Sequence, residues 1–209
     1  MEMKPIIFDV DGTLWDTTEV VARAWNEAIR ATGGTSRAVT AEKLKQVFGR
    51  PMNVIADILF ADADEQQRAK LLDACVEYEH EALESCTDNL LYPGVVETIR
   101  ELSKQTPLFI VSNCQSGYIE LFMSKAGVER YITDIECFGD TRLSKGENIK
   151  LIMKRNHLKD TVYVGDTQGD YEATVVAGIP FIYARYGFGQ PEHYDRVIDQ
   201  LPDLLHMAL

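Results

Sequence analysis

The segment Pro5-Ile6-Ile7-Phe8-Asp9-Val10-Asp11-Gly12 runs from a short apolar stretch straight into two carboxylates and a glycine. An unbroken apolar run of this length is the pattern of a strand covered on both faces, as in a parallel sheet. The polar residues therefore gather just beyond the strand's carboxyl end, where open α/β sheets bind their ligands. Similar runs recur at residues 107–111 (Pro-Leu-Phe-Ile-Val), 161–164 (Thr-Val-Tyr-Val) and 179–183 (Ile-Pro-Phe-Ile-Tyr), with a weaker one at 134–138. Between them the spacing predicts helices over 95–104 after the Pro93-Gly94 turn, 118–126 ending at Gly127, 147–156, and 170–177 ending at Gly178. Strands alternating with helices predict an α/β fold built on an open, largely parallel sheet.

Residues 16–88 break this rhythm, with helical periodicity and no buried-strand run. Residues 17–32 place Val20, Val21, Ala24, Ala28 and Ile29 on one face before Gly33-Gly34. Helical segments at 41–48 and 52–60 follow, and 64–85 is longer, with Ala69, Leu72, Cys75, Val76 and Leu83 inward and acidic residues outward. A purely helical block after the first strand reads as an insertion: a helical cap of residues 16–88 over the strand ends of a core made from residues 1–15 and 89–209. Thr17 and Thr18 are expected to cap its first helix.

The 209 residues carry 21 Lys and Arg against 33 Asp and Glu, a formal charge of −12, with 45% hydrophobic residues. This composition supports a packed core and excludes a disordered or collagen-like chain. The acidic balance argues against a nucleic acid or an anionic membrane as partner, since both attract clustered Lys and Arg. Cys75, Cys86, Cys114 and Cys137 are scattered without zinc-ligand spacing, which suits a reducing compartment. The first apolar run is too short for a signal-peptide core and no stretch approaches a membrane span, so a cytoplasmic location is expected. The sequence leaves the oligomeric state open.

Asp9 and Asp11 lie two apart, so in an extended chain both carboxylates face one site. Two such groups repel, and one takes up a proton unless a hard cation such as Mg²⁺ neutralises them. Gly12 permits the turn that follows. Ser112-Asn113, at the end of the second apolar run, offers a hydroxyl and an amide that could hold a phosphoryl oxygen. Lys145 falls in the first turn of a helix opened by the capping-box pattern Ser144-Lys145-Gly146-Glu147, where the helix dipole disfavours a cation. Pairing with carboxylates and a phosphate would explain it. Gly165-Asp166-Thr167-Gln168-Gly169-Asp170 ends another apolar run: Asp166 falls where a further hard-metal ligand is needed, and Asp170 could act directly, through water or on Lys145. Singly, these groups also read as an acidic turn, helix caps and a solvated lysine; together they supply metal ligands, anion donors and a nucleophile.

With those motifs in that order, the chain resembles the haloacid dehalogenase superfamily of phosphotransferases. Within it the chain is similar to the phosphoglycolate phosphatase and β-phosphoglucomutase branch with a helical cap after the first motif. The resemblance spans essentially the whole chain and rests on Asp-x-Asp-Gly-Thr-Leu together with Gly-Asp-Thr-x-x-Asp. It implies a Rossmann-like parallel-sheet core with an inserted all-helical cap, and hydrolysis of a small phosphorylated metabolite through an aspartyl-phosphate. Asp9 would be the nucleophile and Asp11 the acid and base. Mg²⁺ would be held by the Asp9 carboxylate, the Asp11 backbone carbonyl and Asp166. Ser112, Asn113 and Lys145 would hold the phosphoryl oxygens, with Asp170 a supporting carboxylate. Phe48-Gly49-Arg50-Pro51 resembles the specificity loop of such caps, which makes Arg50 a candidate for reading an anionic substrate. Relatives that break carbon–halogen bonds do not need the second aspartate, so Asp11 favours phosphoryl transfer. Lys145 is followed by Gly146-Glu147, where phosphoglycolate phosphatases commonly carry prolines.

Two alternatives stand beside this reading. A phosphomutase would use the same aspartyl-phosphate and return the phosphoryl group to a sugar. A phospho-accepting signalling module also sets acids, a hydroxyl and a lysine at the strand ends of a parallel sheet, but such modules are about 120 residues long and carry the acceptor mid-chain. Tyr186-Gly187-Phe188-Gly189 lacks the third glycine of a dinucleotide fingerprint, and Pro191 interrupts a helix start. Trp25, Phe48, Tyr78 and Phe122 read as packing residues.

Overall fold

The computed structural model describes residues 3–208. Ile6–Phe8 (β1), Leu108–Ser112 (β2), Asp134–Cys137 (β3), Val162–Gly165 (β4), Phe181–Ala184 (β5) and Arg196–Ile198 (β6) form one six-stranded sheet in the order β3-β2-β1-β4-β5-β6. Every neighbouring pair is parallel. All residues of β1, β2, β4 and β5 are buried, as their unbroken apolar runs require. The sequence missed β6, an edge strand in which only Ile198 is buried, so no apolar run announces it.

The chain divides into two compact units, one built from the segments up to Asp16 and from Leu91 onward, the other from Thr17–Leu90. In the second unit lie helices Thr18–Thr32 (α1), Ala41–Val47 (α2), Met52–Leu59 (α3) and Glu65–Ser85 (α4). The sheet unit carries Val95–Leu102 (α5), Tyr118–Ala126 (α6), Phe138–Thr141 (α7), Lys145–Arg155 (α8) and Gln168–Ala177 (α9). Within that unit Trp15 pairs antiparallel with Leu91, and the Tyr92 N–H donates to the Leu14 carbonyl at 3.1 Å. The points where the chain leaves and rejoins the sheet unit are therefore hydrogen-bonded neighbours.

One face of the sheet packs Ile7, Phe109, Val111, Tyr163, Phe181 and Tyr183 against Ile149 and Ile152 of α8 and Ala173 of α9. The strand order runs outward from β1 through β2 to β3, then resumes on the other side at β4. The reversal leaves a crevice between the carboxyl ends of β1 and β4, the place where such sheets bind ligands. Among the described residues no helix is long and apolar enough to cross a membrane.

The helical unit corrects two expectations. Thr17 occupies the N-cap position of α1 without a side-chain capping bond, whereas Thr40 and Asp64 accept from the Lys43 and Gln67 N–H groups at the starts of α2 and α4. In α4 the buried stripe is Leu71, Cys75, Glu79 and Leu83. Ala69 is exposed, and Leu72 and Val76 are half-buried. The acidic residues of α4 are expected outward, but Glu79 is buried, and the Trp25 indole N–H of α1 donates to its Oε2 at 2.7 Å. Burying a carboxylate is tolerable only with such donors. Trp25→Phe removes this donor while keeping an aromatic ring. It is expected to destabilise the protein by about 2 kcal/mol in urea unfolding, with Glu79→Gln costing less.

Candidate active site

β1 ends at Phe8, and the next residue continues the pairing, with the Asp9 N–H donating to the Val164 carbonyl of β4 at 2.9 Å. This fixes Asp9 at the β1–β4 crevice. Lys145, the first residue of α8, places its Nζ 3.0 Å from Asp9 Oδ1 and 2.6 Å from Asp170 Oδ1. Ser144 caps that helix by accepting from the Glu147 N–H at 3.3 Å, as its pattern predicted. Burial alone would push the ammonium pKa down, but Asp170 and Asp9 hold it above its ordinary value, so the group is charged. The same two carboxylates compensate for a cation at the positive end of the helix dipole.

Asp170 is saturated with donors. Its Oδ1 accepts from Lys145 and lies 3.3 Å from the Tyr163 hydroxyl, whose single proton is shared between this oxygen and the nearer Val111 carbonyl at 2.9 Å. Its Oδ2 accepts from the Asp166 N–H at 3.1 Å, the Thr167 N–H at 2.9 Å and the Thr167 hydroxyl at 2.7 Å. Thr167 in turn accepts from the Asp170 N–H, completing a capping box at the start of α9. Asp170 thus both caps the start of α9 and pairs with Lys145. Burial works to raise its pKa, yet Lys145 and Thr167 keep it below the usual carboxylate range.

Asp166 is wedged between two backbone turns. A Cβ on Gly12, where φ is +78°, or on Gly187 would collide with the Asp166 side chain. The Phe188 N–H donates to Asp166 Oδ2 at 2.6 Å. Asp166 Oδ1 and Asp9 Oδ2 are buried without a hydrogen-bond partner. Burial, with the charge of Asp170, pushes both carboxyls up against the pull of Lys145, Asp9 to about 7 and Asp166 well above its ordinary value. Oxygens of Asp9, Asp166 and Asp170 lie within 4.8 Å of one another. Since Asp170 is already satisfied, Asp9 and Asp166 carry the available lone pairs. Two orphaned, charge-frustrated oxygens in an all-oxygen site fit a hard divalent cation.

Asp11, two residues on, is half-buried, and its Oδ1 accepts from the Trp15 indole at 3.1 Å and the Tyr118 hydroxyl at 2.6 Å. Its carboxylate is not one of the three clustered ones. Ser112 is buried at the end of β2, the strand beside β1, with Asn113 half-buried after it. Arg50 belongs to the helical unit, exposed in the turn between α2 and α3. Sequence reasoning missed Trp15, Tyr118, Tyr163 and the Phe188 N–H. The last had a visible signal: the glycines of Tyr186-Gly187-Phe188-Gly189, too few for a dinucleotide loop, are there because the backbone passes against Asp166.

The sequence matches the haloacid dehalogenase-like hydrolases over residues 6–184, and the chain belongs to that family. Among curated proteins, it is 30% identical to a phosphoglycolate phosphatase of Vibrio vulnificus, across 100% of this chain and 97% of that protein. A phosphoglycolate phosphatase of Vibrio parahaemolyticus is 27% identical, across 99% and 96%. A crystal structure from Haemophilus somnus, named as a predicted phosphoglycolate phosphatase, superposes with a TM-score of 0.85 at 22% identity, covering 99% of this chain and 98% of that one. The protein is therefore a hydrolase, a phosphatase, and the signalling-module alternative falls away.

Two outcomes follow from the geometry. A carboxyl whose pKa is raised on folding binds its proton more tightly in the folded state; it favours folding below about pH 4 and loses that contribution as pH rises toward 7. In chelator-treated protein, Asp9→Asn is expected to lessen the fall in melting temperature between about pH 4 and 8 and to exceed the wild type at the upper end; parallel curves would contradict it. A Cβ on Gly146 would lie 2.7 Å from Val176 Cβ and 3.0 Å from the Ala173 carbonyl oxygen. Gly146→Ala must therefore part α8 from α9, at a cost of about 1–3 kcal/mol in urea unfolding.

Proposed function

We propose that this protein is a Mg²⁺-dependent, cytoplasmic phosphatase that hydrolyses a small phosphorylated metabolite through an aspartyl-phosphate on Asp9. The observation that carries the reading is the Asp9 carboxylate itself: both oxygens are buried without a hydrogen-bond partner, and its ion pair with the Lys145 ammonium, at 3.0 Å, is made through Oδ1. A nucleophile needs such a fixed and desolvated oxygen. Asp9 attacks phosphorus, forming the acyl-phosphate bond as the ester P–O bond breaks, and Asp11 gives its proton to the leaving oxygen. Asp11 then takes a proton from the water that attacks the phosphoenzyme, releasing phosphate and restoring Asp9.

The Asp9 and Asp166 carboxylates and the Asp11 backbone carbonyl would hold Mg²⁺; when bound, the ion offsets negative charge on the phosphoryl group. Ser112, Asn113 and Lys145 hold the phosphoryl oxygens by hydroxyl, amide and ammonium. Lys145 also favours the ionised form of Asp9 against the effect of burial, and Asp170 keeps Lys145 in place. The helical unit Thr17–Leu90 serves as a cap whose Arg50 reads an anionic end of the substrate. The names of the Vibrio relatives support phosphoglycolate, which carries such an anion, as the first substrate to assay. Four free cysteines accord with a reducing compartment.

Phosphate release from a panel of phosphorylated acids, sugars and nucleotides tests this. Release is expected to require Mg²⁺, to stop with chelator, and to fall about 10⁴-fold or more in Asp9→Asn. Asp166→Asn is expected to raise the Mg²⁺ concentration needed by about tenfold or more. Conversion of one sugar phosphate to another without net release would replace phosphatase by mutase. A folded protein inert on the whole panel would overturn the reading.

A further inference from the structure

We infer that Tyr183 and Tyr186 are positioning residues: their hydroxyls pin the turn of residues 186–189 around Asp166, so that this carboxylate offers a divalent cation one oxygen, Oδ1, and the site favours Mg²⁺ over the larger Ca²⁺. The inference rests on the proposed role of Asp166 as a Mg²⁺ ligand and assigns the parts that hold this ligand and the cation they select.

The turn follows β5 and is fastened at both ends. The Tyr186 hydroxyl donates to the Thr13 carbonyl at 2.8 Å, and the Tyr183 hydroxyl, from β5 itself, donates to the Gly189 carbonyl at 2.7 Å. The Gly187 N–H donates back to the Ala184 carbonyl at 3.1 Å. Packing holds both rings, since Tyr186 meets Tyr92 edge-on at 4.9 Å and Tyr183 lies in the packed core of the sheet. A phenylalanine at either position keeps those ring contacts and removes only the hydroxyl. Between the fastened ends, the Phe188 N–H donates to Asp166 Oδ2 at 2.6 Å.

The turn approaches so closely that both of its glycines are needed for space. A Cβ on Gly187 would strike Asp166 Cβ and Oδ2 and the Gly12 carbonyl oxygen, and one on Gly189 would lie 2.7 Å from the Asp166 carbonyl oxygen and 2.9 Å from Thr167 Cα. Gly12 closes on the same Oδ2. That oxygen is walled in by backbone, while Oδ1 is buried without a hydrogen-bond partner. Presenting both oxygens to a cation would require giving up the Phe188 bond. Ca²⁺ takes six to eight oxygens in a flexible shell and accepts a carboxylate through both of its oxygens, whereas Mg²⁺ demands a small, near-octahedral set. A carboxylate held so that it gives one oxygen suits the smaller ion, and the groups that orient a metal ligand commonly matter to affinity almost as much as the ligand itself.

Cation binding without substrate tests this, because it reads the site and not turnover. Chelator-treated protein is titrated calorimetrically with Mg²⁺ and, separately, with Ca²⁺ at one pH. Tyr183→Phe and Tyr186→Phe are each expected to weaken Mg²⁺ binding about tenfold while changing Ca²⁺ binding by no more than about twofold, so that the preference for Mg²⁺ shrinks. Melting temperatures in chelator report stability separately, and Trp25→Phe, which destabilises the helical unit, is expected to leave both affinities within about twofold of the wild type. A tyrosine variant that loses stability yet binds both ions as the wild type does, or that weakens both alike, overturns the positioning role of that residue, and the proposed function stands. If the wild type binds neither ion, or Asp166→Asn binds Mg²⁺ as tightly as the wild type, the reading of Asp166 as a ligand fails and this inference with it.

Discussion

A single buried ammonium between two buried carboxylates organises the sheet unit. Lys145 comes from the start of α8, Asp9 from the end of β1 and Asp170 from the first turn of α9, so this one ion cluster ties together three separate stretches of chain. Buried charges are costly, and the cluster is tolerated because the ammonium pairs with both carboxylates and one of them is further hydrogen-bonded. Asp170 shows how: Thr167, Tyr163 and the Asp166 N–H satisfy every side of it, and in doing so define the helix start and the turn that carries Asp166. Gly146 is the counterpart on α8, allowing the close approach to α9 that lets Lys145 reach across.

The charge left over gives the site its chemistry. Asp9, Asp166 and Asp170 are three carboxylates gathered beside one lysine, and Asp9 and Asp166 each keep a buried oxygen without a hydrogen-bond partner. The frustration is local to the β1–β4 crevice, and the glycines at 12 and 187 press Asp166 into it. A fold that tolerates this arrangement gives up stability to hold reactive groups in place, as active sites commonly do.

Much of this was legible in the sequence because each element obeyed one rule at a time. Unbroken apolar runs marked the buried strands, and chemistry-bearing residues stood where those runs ended, so the order Asp-x-Asp, Ser-Asn, Lys, Gly-Asp could be read directly. The parts that escaped depend on two rules in conflict or on distant partners. Glu79 lies on the inner stripe of α4, and a charge there reads as a surface until Trp25, 54 residues away, is known to meet it. β6 is an edge strand whose first residue, Arg196, is exposed, so it lacks the run that betrayed the others. Tyr118 joins Asp11 across 107 residues, and in sequence it is simply the first aromatic of a helix. Tyr163 hides in a strand run whose apolar character it shares while its hydroxyl serves Asp170.

The hydrogen-bonded neck formed by Leu14 and Trp15 with Leu91 and Tyr92 has a consequence for how the chain can vary. Because the long excursion between them starts and finishes at adjacent points, the entropy of closing that loop is met by the neck itself and grows only slowly with the length enclosed. Segments of different size or sequence could therefore be exchanged there at little cost to the sheet. Under the proposed division of roles, selectivity and catalysis can be inherited as separate parts, the reacting groups kept on the strand ends while the spliced-in portion is rewritten for a new ligand.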